Sequence, residues 1–326
     1  MTSRQTLPRV GVIGLGRIGR THIDAWQANG VTPLAFADAS QAALDTTVAE
    51  FGGTGFGDGL DLVASGLVDV VSVCTPPAFH RELVIAALDA GIAVLCEKPM
   101  AHTIEDARAI YDAVQRTGTL FTVGFCHRFQ PHIERLKALI DNGELGTVMS
   151  YRNRFAGLNA GVEATWFANP DIAGGGVLSD TSVHSIDTFR YLIGDPVRAH
   201  AFISTRETNL GPALAVEDTA VLTLQTADGT IGVIESSWRT PVGEWSFAIH
   251  GSRATAHFDY DTMKLQVHGE GGTVQVVEVE AGDRFQREFA HFIACWRGDA
   301  DPRVSAADGL AANELLDAAY RTARAS

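Results

Sequence analysis

Residues 14–19 read Gly-Leu-Gly-Arg-Ile-Gly and lie between a short apolar run, Val10–Ile13, and a helical pattern that continues to about residue 28. No other stretch limits the fold so strongly. A strand that turns through glycines straight into a helix is the start of a crossover connection, and crossovers build parallel sheets. Glycines at this spacing arise readily in a chain that holds 33 of them, so the surroundings carry the argument. A second apolar run, 33–37, ends in an acid, Asp38, 19 residues after Gly19.

That arrangement fits a dinucleotide site. Gly14 permits the tight turn, Gly16 lets the backbone approach a pyrophosphate, and Gly19 lets the helix pack on the sheet. The helix N-terminus at Arg17 and Ile18 then receives the phosphates. Asp38 is placed to bond the adenosine ribose and to repel a 2'-phosphate. Ala39, Ser40 and Gln41 offer no arginine for such a phosphate, so NAD is expected over NADP.

Beyond Asp38 the pattern keeps alternating, with helical periodicity over 40–51, 79–90 and 103–117 and buried-strand runs at 70–74, 93–96 and 120–124. Thr103 is a helix N-cap and Gly118 a stop. The expectation is a doubly wound parallel α/β domain over residues 1–125. From 126 to 326 the grammar changes. Helices are expected at 131–142, to about 193 after a glycine run, at 283–297 and at 305–324, around a series of strands joined by short turns such as Asp228-Gly229. This predicts an α+β domain with a large, mainly antiparallel open sheet, its C-terminal helix packing back on the first domain.

The glycine run, Gly174-Gly175-Gly176, feeds a segment carrying Asp180, His184 and Asp187. Spacings of three, four and seven place all three on one helical face. On spacing alone, a catalytic acid–imidazole pair, a metal site and a packed polar core fit equally well.

A formal charge of −14 and the lack of any lysine/arginine block oppose binding to nucleic acid. No apolar run is long enough to cross a bilayer, and the four cysteines are scattered without a Cys-x-x-Cys pair. A cytoplasmic protein with reduced, buried thiols is expected; the alternative is that thiols near strand ends at Cys74, Cys96 and Cys126 make the site thiol-sensitive.

The glycine motif, Asp38, Cys74-Thr75-Pro76-Pro77-Ala78-Phe79-His80, Glu97-Lys98-Pro99, Gly124-Phe125-Cys126-His127-Arg128-Phe129 and the 174–187 segment follow in this order. Together they resemble the Gfo/Idh/MocA family, most of all its inositol dehydrogenases, across essentially the whole chain. The chain departs from the commoner family pattern at Cys126 and His127, where Asn and Arg are frequent. The resemblance implies a Rossmann domain followed by a substrate and oligomerisation domain, without a metal, in a homodimer or homotetramer. It also implies NAD-dependent oxidation of a secondary hydroxyl on a cyclic polyol or sugar.

The family's lysine falls on Lys98, its acid and histidine on Asp180 and His184, and a further acid of inositol dehydrogenases on Asp187. In that reading His184 accepts the hydroxyl proton, Asp180 orients it, and Lys98 stabilises developing alkoxide charge, with Lys98 an alternative proton acceptor. A cis Lys98-Pro99 bond would fix where the lysine points. Thr75, Pro76, His80 and Glu97 are expected beside the cofactor. Arg128, Asn153, Arg154, Trp166 and Phe167 are candidates for the substrate. Two rivals stand beside this reading: an enzyme that retains NAD and cleaves glycosides, and a noncatalytic dinucleotide sensor.

Overall fold

A computed structural model of the chain describes residues 7–325. They form two compact units: one runs to Cys126 and takes in Asp283–Asn313, the other holds His127–Gly282 and the chain from Glu314 onward.

The first unit alternates β1 (Val10–Ile13), α1 (Arg17–Ala28), β2 (Ala35–Ala37), α2 (Gln41–Phe51), β3 (Thr54–Phe56) and α3 (Gly59–Ala64). It continues with β4 (Val70–Val73), α4 (His80–Asp89), β5 (Ala93–Cys96), α5 (Ile104–Thr117) and β6 (Phe121–Val123). The strands form one parallel sheet in the order β3-β2-β1-β4-β5-β6. Strand order reverses between β1 and β4, which opens a crevice at the carboxyl ends of those strands. Local signals explain the helices. Thr103 caps α5 by accepting from Asp106 N at 3.1 Å, and Gly118 ends it with a φ of 64°. β3 and α3 go beyond the alternation read from sequence: β3 is only three residues long and largely exposed, so no apolar run marks it.

In the second unit α6 (Pro131–Asp141) leads into β7 (Val148–Leu158). A short helix, α7 (Pro170–Ala173), the glycine run and a wide π-type turn over Leu178–Ser182 then enter α8 (Val183–Leu192). Seven strands follow: β8 (Pro196–Ser204), β9 (Thr219–Thr226), β10 (Ile231–Ser237), β11 (Arg239–Gly251), β12 (Thr255–Asp259), β13 (Lys264–His268) and β14 (Val274–Val277). With β7 they make an eight-stranded sheet, antiparallel except where β10 runs parallel to β7. Alternation along each strand turns Tyr151, Phe155, Phe247 and Phe258 into a buried inner face. α8 approaches that face closely, since a Cβ on Gly232 would meet the Phe189 ring at 2.5 Å.

The chain then returns. α9 (Arg284–Arg297) lays Phe289 and Phe292 edge-on against Trp26 of α1, with centroid distances of 4.8 and 5.8 Å. Asn29 Nδ2 also donates to Gln286 O at 3.0 Å. Each fully buried ring of this kind contributes about 1.5–3 kcal/mol of transfer free energy, which is ample reason for the segment to join the first unit. α10 (Ala306–Ala325) closes the chain, and Asn313 on it donates to Ala101 O at 2.8 Å.

Candidate active site

The end of β1 is built around its glycines. Gly14 has a φ of 90°, and a Cβ there would lie 2.7 Å from the Cys74 carbonyl group, so both dihedral and space demand glycine. A Cβ on Gly19 would lie 1.9 Å from Gly14 O; the helix can sit this near the turn only without one. Gly16 differs. It caps α1 without a side-chain bond and has no neighbour within 4 Å of where a Cβ would stand. Gly16 and Arg17 are exposed and Ile18 is half-buried, which leaves the first N–H groups of α1 open to an anionic ligand.

Asp38 stands at the end of β2, where its two carboxylate oxygens accept from Leu15 N and Ser40 N, each at 2.7 Å. It therefore ties the glycine turn to the second strand and keeps further acceptor capacity for a ribose hydroxyl. Thr75 and Pro76, after β4, are half-buried, and the Thr75 hydroxyl oxygen is enclosed without a hydrogen-bond partner in the protein. An open helix N-terminus, a glycine that leaves room and an orphaned hydroxyl at a strand's carboxyl end are together what a bound dinucleotide needs.

His80 and Glu97 hold the walls of this region. His80 is completely buried, with Nε2 2.8 Å from Thr75 O and Nδ1 3.1 Å from Pro99 O. It links the turn after β4 to the turn after β5. Glu97 accepts from His22 Nε2 at 2.8 Å and from Lys98 N at 3.2 Å. Burial opposes its ionisation, but the His22 bond and the charges of His22 and Lys98 outweigh burial and hold the carboxyl below its ordinary value. Lys98 is half-buried, and its bond to Pro99 is cis. His22 carries no motif; only the fold shows that α1 delivers it to Glu97.

In the second unit, every residue from Gly176 to Phe189 is buried except two, Asp180 and His184. Asp180 Oδ2 accepts from Thr181 Oγ1 at 3.2 Å, and that hydroxyl accepts from Trp238 Nε1 at 3.3 Å. The His184 ring lies 4.8 Å from that of His127, whose Nδ1 is 2.5 Å from Tyr260 Oη. The half-exposed imidazole thus joins an aromatic cluster through His127, which packs on buried Phe155 and half-buried Trp245. The π-type turn means that Asp180 and His184 are not related by a plain α-helical turn, as their spacing alone suggests.

Other candidate residues have partners of their own. Arg128 and Asp187 form a buried pair, with Nη2 2.6 Å from Oδ1 and Nε 2.9 Å from Oδ2. Asn153 is fully buried and donates to Ser246 O at 3.0 Å, while its Oδ1 has no partner. Arg154 pairs with Glu235 and Glu244. Trp166 is 38% exposed and stacks on Phe167 at 3.9 Å, so one large ring faces solvent.

The thiols are all buried and free. Burial pushes Cys74 and Cys96 well up and Cys126 up to about 12, and none of them is a ready nucleophile.

Residues 8–125 match an oxidoreductase family described by its NAD-binding Rossmann fold, and residues 133–275 match the GFO/IDH/MocA C-terminal domain. An inositol 2-dehydrogenase of Rhizobium meliloti (strain 1021) is 31% identical over 96% of this chain and 96% of its own length. A D-glucoside 3-dehydrogenase of Escherichia coli (strain K12) is 30% identical over 97% of this chain and 95% of its own. Among solved structures, a levoglucosan dehydrogenase in complex with NADH and levoglucosan superimposes with a TM-score of 0.88 at 26% identity, covering 97% of both chains. The likeness extends over nearly all of the chain, which belongs to the Gfo/Idh/MocA oxidoreductases and carries their NAD-binding Rossmann fold.

Proposed function

We propose that the protein is an NAD-dependent dehydrogenase that oxidises a secondary hydroxyl of a cyclic polyol or sugar, with an inositol as the first substrate to test. One observation carries the reading: Asp180 and His184 alone are open in an otherwise buried run, on the segment where the family resemblance places its acid and histidine. Relatives that act on inositol and on D-glucosides support the substrate class.

Bound NAD supplies the hydride acceptor. The chain's residues handle the proton and the charge. His184 takes the hydroxyl proton as the C–H bond yields its electron pair, and Asp180, held by Thr181, stabilises the imidazolium that results. The Lys98 ammonium offsets negative charge developing on the substrate oxygen. Asp38 selects NAD over NADP, since a second anion beside its carboxylate is repelled.

The assembly proposed is a homodimer or homotetramer joined through the outer sheet face. That face leaves Phe202 59%, Ile231 48%, Val274 55% and Val276 50% exposed. A cytoplasmic setting agrees with four free cysteines, and no helix among the described residues is long and apolar enough to cross a membrane.

A panel of inositols, aldoses and their glycosides, incubated with NAD and followed at the NADH absorbance, tests the function. Net NADH formation with a polyol or sugar is expected. Glycoside cleavage without NADH accumulation would replace the dehydrogenase by an NAD-retaining hydrolytic enzyme, and binding of NAD without turnover would leave a sensor.

A further inference from the structure

Glu217, just before β9, is an acid in an apolar stretch and is 7% exposed. Its Oε1 accepts three hydrogen bonds, from Gly176 N and Leu178 N at 3.0 Å and from Tyr320 Oη at 2.8 Å. Its main-chain carbonyl accepts a fourth, from Val177 N at 2.9 Å. One residue therefore takes the N–H groups of 176, 177 and 178, donors that the start of a helical segment leaves without partners of its own.

The glycine run is shaped by this contact. A Cβ on Gly175 would lie 1.9 Å from Tyr320 Oη, and one on Gly176 would lie 1.8 Å from Glu217 O. Side chains at 175 and 176 would push the acid and the phenol away. From this anchor the chain passes directly to the chemistry, because Asp180 N donates to Gly176 O at 2.9 Å and the π-type turn carries the chain on to His184.

We infer that Glu217 and Tyr320 are positioning residues that clamp the glycine run and so set where Asp180 and His184 stand. The inference rests on the catalytic reading of Asp180 and His184. Burial and the neighbouring Glu217 charge push the Tyr320 phenol well above its ordinary value, so its hydroxyl stays a donor at neutral pH. Both residues act through the glycine run and not as part of the chemistry itself. Misplacing a reacting group by about 1 Å can cost about 10²-fold in rate, which is the route by which the clamp acts.

The test uses the full-length, NAD-bound enzyme with myo-inositol, or with whichever polyol or sugar of the panel turns over. Tyr320→Phe removes one hydroxyl and is expected to lower kcat about tenfold. Glu217→Ala is expected to lower it by about 10²-fold, and Glu217→Gln, whose amide oxygen still accepts, to recover part of the loss. In each weakened variant KM for NAD should hold, the acidic limb of the pH–rate profile should move, and amide exchange across 174–187 should quicken. Unchanged kcat and pH profile in Tyr320→Phe and Glu217→Ala, with only a lower melting temperature, would overturn the inference. Retention of turnover by His184→Ala would instead defeat the catalytic reading, and unaltered exchange across 174–187 in Tyr320→Phe would defeat the clamp by itself.

Discussion

Arg128 grips Asp187 through both Nε and Nη2, at 2.6–3.1 Å, with 6% and 1% of the two side chains exposed. Each charge is neutralised by the other out of water. Taking one away removes the other's bidentate partner inside the protein, so Asp187→Ala is expected to cost about 3–5 kcal/mol of stability. Urea unfolding reads that loss, and KM for the polyol in the folded fraction should be normal. A normal midpoint with a raised KM would place Arg128 or Asp187 on the substrate instead.

The open pair makes the opposite demand. His184→Ala should leave the fold and NAD affinity intact while lowering turnover by roughly 10² to 10⁴. Single-turnover kinetics with saturating NAD measures this without interference from product release. Near-normal turnover would remove His184 from the proton-accepting role and turn attention to Lys98.

Asp38 has two tasks, since it accepts from Leu15 N and Ser40 N and is proposed to bond the ribose. Asp38→Ala should therefore weaken NAD binding about tenfold and narrow the preference for NAD over NADP. Nicotinamide titrations with both cofactors decide the matter: equal losses for NAD and NADP would limit Asp38 to bracing the loop, and no change in either would dismiss it.

Acid stability should depend on His80. Burial holds its imidazole below the ordinary value of 6.5, against the pull of the carbonyls of Thr75, Met100 and Pro99 and of the Glu97 charge. In the window just below 6.5 the folded chain therefore binds fewer protons than the unfolded chain. Stability is full above that window and falls as pH drops through it. Denaturation midpoints at roughly pH 5 to 7.5 should show this slope in the wild type and a shallower one in His80→Gln. Equal slopes would show that other groups set the acid limit.

Much of the first unit could be read directly from the chain. Apolar runs ending in Gly14-Leu15-Gly16 and in Asp38, and helices capped by Thr103 and stopped by Gly118, are local signals, because period and capping depend on neighbours in sequence. The mainly antiparallel second sheet was legible for the same reason. β3 was not, since three largely exposed residues carry no period. Nor was the register of the site helix, because the π-type turn answers to Glu217 some 40 residues onward.

The sequence by itself determined that Asp180, His184 and Asp187 would share one helical region and that a dinucleotide turn would precede it. Only the tertiary structure separated the three. Asp187 went to Arg128, 59 residues away, in a buried pair, while Asp180 and His184 stayed half-exposed to solvent. It also brought α9 back to α1 across 257 residues and set Glu217 and Tyr320 on the glycine run. Spacing says which side chains point the same way, but whether a charged group is left near solvent or buried against a partner depends on what packs around it. That is decided by contacts far apart in the chain.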